Sequence, residues 1–387
     1  SPQTHSKSGI SVFGFWQARI ILGCFPTGMT VATENLSYVR NAMRRSLPTV
    51  FTLSVFLLLC ALSTMAQAVV VGTVLNTTVN PANYGQDWTQ GDPGWNNITQ
   101  SGSNFAYLGD NWVLTARHIS AGTAIFSTGS FSQIPSQNFV INNPPPSLAN
   151  GVSLTPETDL RLFRISGVVN LPALTIASES PDLTGKSGSQ MMFISQGRVR
   201  WNIETHWALN LNSPPPSWGP SEVPAGQGNV HGYKTTDTRT KRWGTNRLED
   251  PSDSQFNSET FDEILSGTTA VMPLTTADDE TRDVISMVTR FDQQGTDGAL
   301  PFEAQAVSGD SGGSVFYNRG TELEPDWVLS GIVNATIIYG NQPRTYAVYG
   351  NSTTFADLSY YNQAYKSSIC DIMKTCGNYS IMGDVSL

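Results

Sequence analysis

Short apolar runs broken by glycine, proline, asparagine and aspartate dominate the chain from Val69 onward. Two such runs, 105–108 and 112–115, flank the turn Gly109-Asp110-Asn111 and predict a β-hairpin, because these turn residues accept left-handed backbone conformations. Leucine, phenylalanine and isoleucine interleave with arginines over 159–165, which is typical of a half-buried strand. Further apolar runs at 284–288 and 327–333 predict strands as well. The pattern therefore indicates an all-β protein with a two-layer or barrel architecture.

Only the segment 355–373 has helical periodicity, and we expect a C-terminal helix there. The two cysteines beyond residue 68, Cys370 and Cys376, lie at its end. In one continuous helix six residues separate their backbones by about 9 Å, which is too far for a disulfide. A bridge requires the helix to end between them, as Gly377 would allow. The sequence leaves the bridge open.

The first 68 residues have the pattern of a leader. Met43-Arg44-Arg45 opens a basic stretch, 50–62 is almost wholly apolar, and Ala66-Gln67-Ala68 is a small-x-small cleavage site. This arrangement predicts a secretory signal peptide at 43–68 behind an upstream extension at 1–42, whose translation is open. The apolar run is shorter than the about 20 residues of a membrane-spanning helix. We expect a protein secreted to the extracellular space or the periplasm, without a membrane anchor in its mature form.

Acidity narrows the range of partners. The formal net charge is −9, and it becomes more negative without residues 1–68, which contain five basic side chains and one acidic one. A strongly acidic chain repels phosphate backbones, so we expect no nucleic-acid partner. The oligomeric state is not indicated.

The segment Gly309-Asp310-Ser311-Gly312-Gly313 is typical of a nucleophilic serine. Its glycines leave backbone N–H groups accessible to a developing oxyanion and let a substrate main chain approach closely. A serine also needs a base. The same letters fit the nucleophile elbow of α/β-hydrolases, but there the histidine follows the serine, and no histidine follows Ser311.

Three histidines beyond the leader are candidate bases: His118, His206 and His231. The order Asp–His–Ser of subtilisins is possible by counting, but that fold is α/β. His118 ends an apolar strand and Asp159 begins another, so the order His118, Asp159, Ser311 brings a base and an orienting carboxylate to the serine. His206 and His231 have no accompanying cysteine and no tight spacing, and we therefore expect no metal site and no cofactor.

Three motifs together resemble the signatures of chymotrypsin/trypsin-like serine proteases: 114–118, 159–162 and 309–313. The segment 327–333 resembles the strand that follows the serine in that family, and Lys241-Arg242-Trp243-Gly244-Thr245-Asn246 resembles secreted bacterial members. The similarity spans about residues 69 to 370. It implies a chymotrypsin-like double β-barrel, with His118 and Asp159 in a first barrel at 69–175 and Ser311 in a second at 176–370. A tail at 371–387 follows.

The resemblance also implies individual roles. Ser311 would be the nucleophile, His118 the general base and acid, and Asp159 the orienting group, while the N–H groups of Gly309 and Ser311 would form the oxyanion hole. Asp310 would pair with a free amino terminus made by activation cleavage, either by signal peptidase before Val69 or by a cut one or two residues later.

The expected substrate contacts follow from the same alignment. Gln305 would form the base of the specificity pocket, and Asn334, Ala335 and Thr336 the wall that pairs with the substrate main chain. A neutral pocket predicts weak preference for basic residues. The chain departs from the family in having Ile119 after the histidine and an insertion of about 60 residues between Asp159 and Ser311, compared with compact members.

The sequence therefore predicts a secreted serine endopeptidase that acts on protein or peptide substrates. Two alternatives use the same scaffold or the same triad: a non-catalytic binding module and an esterase-type acyl hydrolase. A structural cell-surface domain is the third alternative. The presence of all three triad residues favours the peptidase.

Overall fold

The structure is a computed structural model that describes residues 69–72, 90–184, 187–210, 218–219, 221–253, 256, 260–276, 278–296 and 298–376. The expected extension at 1–42, the signal peptide at 43–68 and the last part of the tail, 377–387, lie outside these residues. Within the described ranges, no helix is both long enough and apolar enough to span a membrane.

Most of the described regular structure is β-strand, in agreement with the expected all-β class. The strands are β1 (Val70–Val71), β2 (Ala106–Gly109), β3 (Trp112–Ala116), β4 (Ala124–Phe126), β5 (Gly129–Phe131), β6 (Gln133–Asn142), β7 (Glu157–Ile165), β8 (Leu183–Thr184), β9 (Ser187–Gly188), β10 (Gln190–Arg200), β11 (Thr205–Trp207), β12 (Glu222–Val223), β13 (Val230–Tyr233), β14 (Thr235–Arg247), β15 (Glu263–Ile264), β16 (Ala270–Thr275), β17 (Thr281–Arg290), β18 (Ala304–Gln305), β19 (Ser314–Asn318), β20 (Trp327–Ile337), β21 (Ala347–Val348) and β22 (Ser352–Asp357). The α-helices are α1 (Leu358–Tyr361) and α2 (Ile369–Met373), and single 3₁₀ turns lie at Trp95–Asn97 and Pro146–Leu148.

The first barrel is an antiparallel ring. Strands β2, β3, β7 and β6 form one sheet, and β4 pairs with β5, which leads through Ser132 into β6. The segment 98–101 closes the ring, because Ile98 bridges Ala106 of β2 and Ser101 bridges Ile125 of β4. Alternate residues of each strand point inward, and the edge-to-face pair of Phe105 and Phe163, 5.0 Å apart, lies in the interior.

The second barrel is a six-stranded antiparallel ring in the order β14, β10, β19, β20, β22, β17. The ring closes where Leu248, directly after β14, bridges Thr289 of β17 and the Glu249 N–H donates to the Val288 carbonyl at 2.9 Å. Phe193 and Phe355 meet edge to face in its interior at 5.6 Å. The expected double β-barrel is therefore confirmed.

A third apolar core joins the two barrels. Leu160 and Leu162 of β7 face the second barrel and belong to one buried cluster with Ile285 and Ile332, whereas Phe163 lies in the interior of the first barrel. This alternation follows from the two-residue period of a strand. Because this shared core holds the two barrels together, the end of β3, the start of β7 and the turn before β19 can meet at the seam between them.

The C-terminal helix is present but shorter than the predicted 355–373. Phe355 belongs to β22, α1 begins only after Asp357, whose side chain accepts from the Ser359 N–H, and α2 begins after Ser368, whose hydroxyl accepts from the Asp371 N–H. These two caps divide the periodic segment. Helix α2 ends at Met373, before Cys376, and Cys370 and Cys376 form a disulfide with a Cα–Cα distance of 4.8 Å.

Candidate active site

His118 lies two residues beyond the end of β3 and is held by Asp159 at two points. Its Nδ1 lies 2.7 Å from Asp159 Oδ2, and its backbone N–H donates to Oδ1 at 3.0 Å. The Asp159 side chain is fully buried, while that of His118 is 23% exposed. A buried carboxylate on Nδ1 fixes the ring orientation and favours the tautomer that carries the proton there, which leaves Nε2 as the basic nitrogen.

Asp159 reaches this position through the register of β3 and β7. Ala116 lies opposite Leu160, and the Arg117 N–H donates to the Asp159 carbonyl at 3.0 Å. This register places the Asp159 carboxylate beside His118, the residue that follows Arg117.

Ser311 lies in the glycine-rich turn between β18 and β19 and lines the same cleft as His118. Gly309 and Gly312 have φ angles of +111° and +79°, a region that favours glycine. A Cβ atom on Gly312 would lie 2.4 Å from Thr115 Oγ1, so the turn packs closely against β3. This close packing brings the serine to the seam between the barrels.

Two backbone N–H groups of the turn have no acceptor among the described residues: those of Gly309 and Ser311. Their neighbours are all engaged, since Ser308, Asp310, Gly312 and Gly313 donate to the carbonyls of Arg344, Val307, Val333 and Asp310 at 2.8–2.9 Å. A pair of unengaged N–H groups beside a serine matches the donor arrangement that stabilises an oxyanion.

Asn104 is a contact residue that the sequence did not indicate. Its side-chain amide is 2% exposed and donates to the carbonyls of Gly309 and Ser311 at 3.0 and 3.1 Å, while its Oδ1 accepts from the Gln196 N–H at 2.5 Å. Asn104 precedes β2, so it ties the first barrel to the serine turn of the second. No motif marks it, because an asparagine in a glycine- and serine-rich stretch normally indicates only a turn.

Asp310 is fully buried, and burial raises the pKa of its carboxyl to about 6. The carboxylate accepts from the Val307 N–H at 2.8 Å, from the Ser195 hydroxyl and from the Val69 N–H. Val69 itself is 1% exposed, and β1 begins with the next residue and pairs with β18. The backbone nitrogen of Val69 therefore lies beside Asp310, the residue that was expected to pair with a free amino terminus.

The cleft has a volume of about 860 Å³, and Asn334, Ala335 and Thr336 are among its lining residues; their pairing with a substrate main chain stays a prediction. The Asn334 side chain is tied inward, to the hydroxyls of Ser286 and Thr354 at 3.0 and 2.8 Å.

Gln305 is placed differently from the expectation. It is 1% exposed, it is not among the lining residues, and its Oε1 accepts from the Val348 N–H at 3.1 Å. The pairing of β18 with β1 holds Gln305 beneath the cleft, and Ala306 and Val307 line the cleft beside it.

His206 and His231, for which the sequence offers no reason to expect pairing, are neighbours. They lie directly opposite one another on β11 and β13, and Glu204 contacts His231. Cross-strand pairing between residues 25 positions apart is not visible in the sequence, which explains why this cluster was not predicted.

Comparisons with known proteins give distant structural likenesses. No family model and no curated protein matches the chain. Among solved structures, neuropsin, a serine protease expressed in the limbic system of mouse brain, aligns over 71% of this chain and 95% of its own, with 13% identity and a TM-score of 0.36. The active form of the Rv3671c protease from M. tuberculosis aligns over 73% of this chain and 76% of its own, with 12% identity and a TM-score of 0.31. The expected secreted bacterial type stays a prediction.

Proposed function

We propose that this protein is a secreted serine endopeptidase of the chymotrypsin-like type that hydrolyses peptide bonds in protein or peptide substrates. One observation carries the proposal: a histidine held at two points by a buried aspartate lines one cleft with a serine that has two unengaged N–H groups beside it. This combination supplies a nucleophile, a base with an orienting group, and an oxyanion site.

The proposed reaction begins with attack of Ser311 Oγ on the carbonyl carbon of the substrate. His118 Nε2 takes the hydroxyl proton, and the carbonyl oxygen becomes an oxyanion that accepts from the N–H groups of Gly309 and Ser311. The buried Asp159 stabilises the resulting imidazolium. His118 then gives its proton to the departing amine, the C–N bond breaks, and an acyl-enzyme remains. Water activated by His118 hydrolyses that ester and restores Ser311.

The position of Val69 supports activation by cleavage. Cutting after Ala68, at the expected signal-peptide site, converts the Val69 N–H into an α-ammonium group that already lies at Asp310. In the uncut chain, the buried Asp310 carboxylate has only neutral hydrogen-bond donors and the more distant charge of Arg239. Pairing with the α-ammonium group would compensate the free-energy cost of burying this charge. The adjacent Gly309 and Ser311 would thereby be fixed in place.

The charges of the cleft favour substrates without a basic side chain at the cleavage site. Arg239 and Arg344 line the cleft, and no aspartate or glutamate is among its described lining residues. An arginine or lysine of the substrate would find no counter-charge there. We expect neutral residues before the scissile bond.

A fluorophosphonate probe tests the proposal, because it forms a covalent bond only with an activated serine. We expect labelling of protein processed at Val69, located at Ser311 by peptide mass spectrometry, and its loss in Ser311→Ala and His118→Ala. Absence of labelling in correctly processed, folded protein would contradict the proposal and favour a binding module. Labelling with hydrolysis of esters but of no peptide would favour the esterase alternative.

A further inference from the structure

Glu204, His206 and His231 form a cluster on one face of the sheet made by β12, β11, β13 and β21. His206 and His231 are directly opposite on antiparallel strands, so their side chains leave the sheet on the same side. Glu204 precedes His206 by two residues and shares that side by the alternation of a strand. One donor atom from each of the three lies within 4.8 Å of the others.

The two imidazole rings are nearly parallel, with centroids 5.3 Å apart and an interplanar angle of 7°. His231 Nδ1 contacts Glu204 Oε1, and His206 Nε2 lies 3.9 Å from the same oxygen. Each side chain is about one quarter exposed, so an ion can reach the cluster from solvent.

From this geometry we propose that Glu204, His206 and His231 bind a divalent transition metal, with Zn²⁺ as the preferred ion. Two imidazoles and a carboxylate are a donor set that Zn²⁺ uses in three-ligand sites, with the fourth position open to water. In tetrahedral coordination with metal–ligand distances of about 2.0–2.1 Å, the donor atoms lie roughly 3.3 Å from one another. Small side-chain rotations bring the three donor atoms from their observed separations to this distance. Hard cations such as Ca²⁺ prefer oxygen ligands and are disfavoured.

Positive charge near the cluster limits its affinity. Arg200 is 4% exposed, its guanidinium lies 4.1 Å from the centre of the Tyr233 ring, and it interacts electrostatically with Glu204. We therefore expect weaker binding than at a three-ligand site without a neighbouring cation.

Tyr349 connects the cluster to the segment 69–72, which contains β1. The ring of Tyr349 packs against His231 at 5.1 Å, and its N–H donates to the His231 carbonyl at 3.0 Å. The hydroxyl of Tyr349 donates to the Gly72 carbonyl at 2.9 Å, as does that of Tyr233. A metal that fixes His231 thus restrains Tyr349 and, through it, the end of the segment 69–72. The bound ion would stabilise the docking of this segment.

The test is a Zn²⁺ titration of the full chain, prepared without a histidine tag and stripped with a chelator, against a chromophoric competitor. We expect one equivalent to bind, with Co²⁺ giving the absorption bands of a nitrogen- and oxygen-ligated site and Ca²⁺ failing to compete. Removal of an outer partner of a metal ligand already costs about 10–100-fold in affinity, so Glu204→Gln and His206→Gln should each weaken binding at least about 10-fold. His118→Ala, which alters the described histidine outside the cluster, should leave the affinity unchanged.

Thermal unfolding without metal shows whether each variant is folded, and only folded variants are compared. Unchanged Zn²⁺ affinity in Glu204→Gln and His206→Gln, or loss of binding in His118→Ala alone, would overturn the site. Hydrogen exchange tests its consequence: Zn²⁺ should slow exchange of the amides of 69–72. Tyr349→Phe should retain the bound equivalent but lose most of that protection. Equal protection in Tyr349→Phe would overturn the proposed coupling.

Discussion

The side chain of Asn104 donates a hydrogen bond to the carbonyl of Ser311 at 3.1 Å, across the seam between the two barrels. The same amide donates to Gly309, so one buried group of the first barrel holds both residues whose N–H groups are unengaged. The geometry of the serine turn relative to His118 thus depends on a contact outside the three motif residues.

Replacing Asn104 by alanine should lower kcat/KM by about 10²-fold, because loss of both donations lets the serine turn shift, and a misplacement of about 1 Å costs that much. Leaving the Gln196 N–H without an acceptor should also cost about 1–3 kcal/mol of folding stability. Asn104→Asp keeps the acceptor for Gln196 but cannot donate, and should lose activity similarly. Turnover is measured per folded molecule. A variant that melts earlier yet turns over normally would show that Asn104 is structural only.

Replacing Asp159 by asparagine should reduce kcat on the order of 10⁴-fold with little change in KM, as expected when the orienting carboxylate of a triad is lost and the histidine adopts the wrong tautomer. Steady-state kinetics on a peptide substrate measure this. Asp326→Asn is the matched control, since Asp326 is an exposed carboxylate paired with Arg319 outside the cleft. Equal activity of the two variants would contradict the proposed role of Asp159.

Stability of the uncut chain should depend on the protonation of Asp310. Burial raises the pKa of this carboxyl from 3.8 to about 6, so the folded state binds the proton more tightly than the unfolded state. The stability that this proton contributes is fully present below pH 4 and is lost as the pH rises to 6, by up to about 3 kcal/mol. Denaturant unfolding between pH 4 and 7 measures it in a Ser311→Ala background, which prevents self-cleavage.

The control for this prediction is Asp310→Asn in the same background. Glu303, whose pKa burial raises to about 8, also contributes to the pH dependence, so the difference between the two proteins is the informative quantity. In protein cut before Val69, the α-ammonium group should remove or reverse the pH-dependent difference in stability between the protein with Asp310 and the Asp310→Asn variant. A pH-independent difference in the uncut chain would contradict the assignment.

One residue added before Val69 should lower activity on the order of 10²–10³-fold, the cost of losing an oxyanion donor. The extension moves the α-amino group by one residue, about 3.3–3.6 Å, away from Asp310. Activity is compared between chains that begin at Val69 and at an added alanine, with the terminus of each confirmed by mass spectrometry. Equal activity of the two chains would show that the terminal ammonium does not order the site.

The sequence predicted those features that depend on local pattern. The hairpin of β2 and β3, the strand β7 and the strand β20 follow from apolar periodicity and turn residues. His118 lies just beyond β3 and Ser311 in the turn before β19, whereas Asp159, expected to begin its strand, is the third residue of β7. Asp357 and Ser368 are both good helix-capping residues, so the division of the C-terminal helix was visible in principle.

Features that depend on register and packing were not predictable. The pairing of His206 with His231 requires the alignment of β11 with β13, and the burial of Gln305 requires the pairing of β18 with β1. The role of Asn104 depends on the approach of the two barrels. A single sequence does not contain these distances, because long-range pairing is set by the whole core and not by the residues at the contact.

Cleavage of a peptide library by protein that begins at Val69 is the most direct test of the endopeptidase. We predict cuts at internal bonds after neutral residues, few after lysine or arginine, and none with Ser311→Ala or His118→Ala. A processed and folded protein that cuts no peptide, or whose cleavage persists unchanged in Ser311→Ala, would contradict the account.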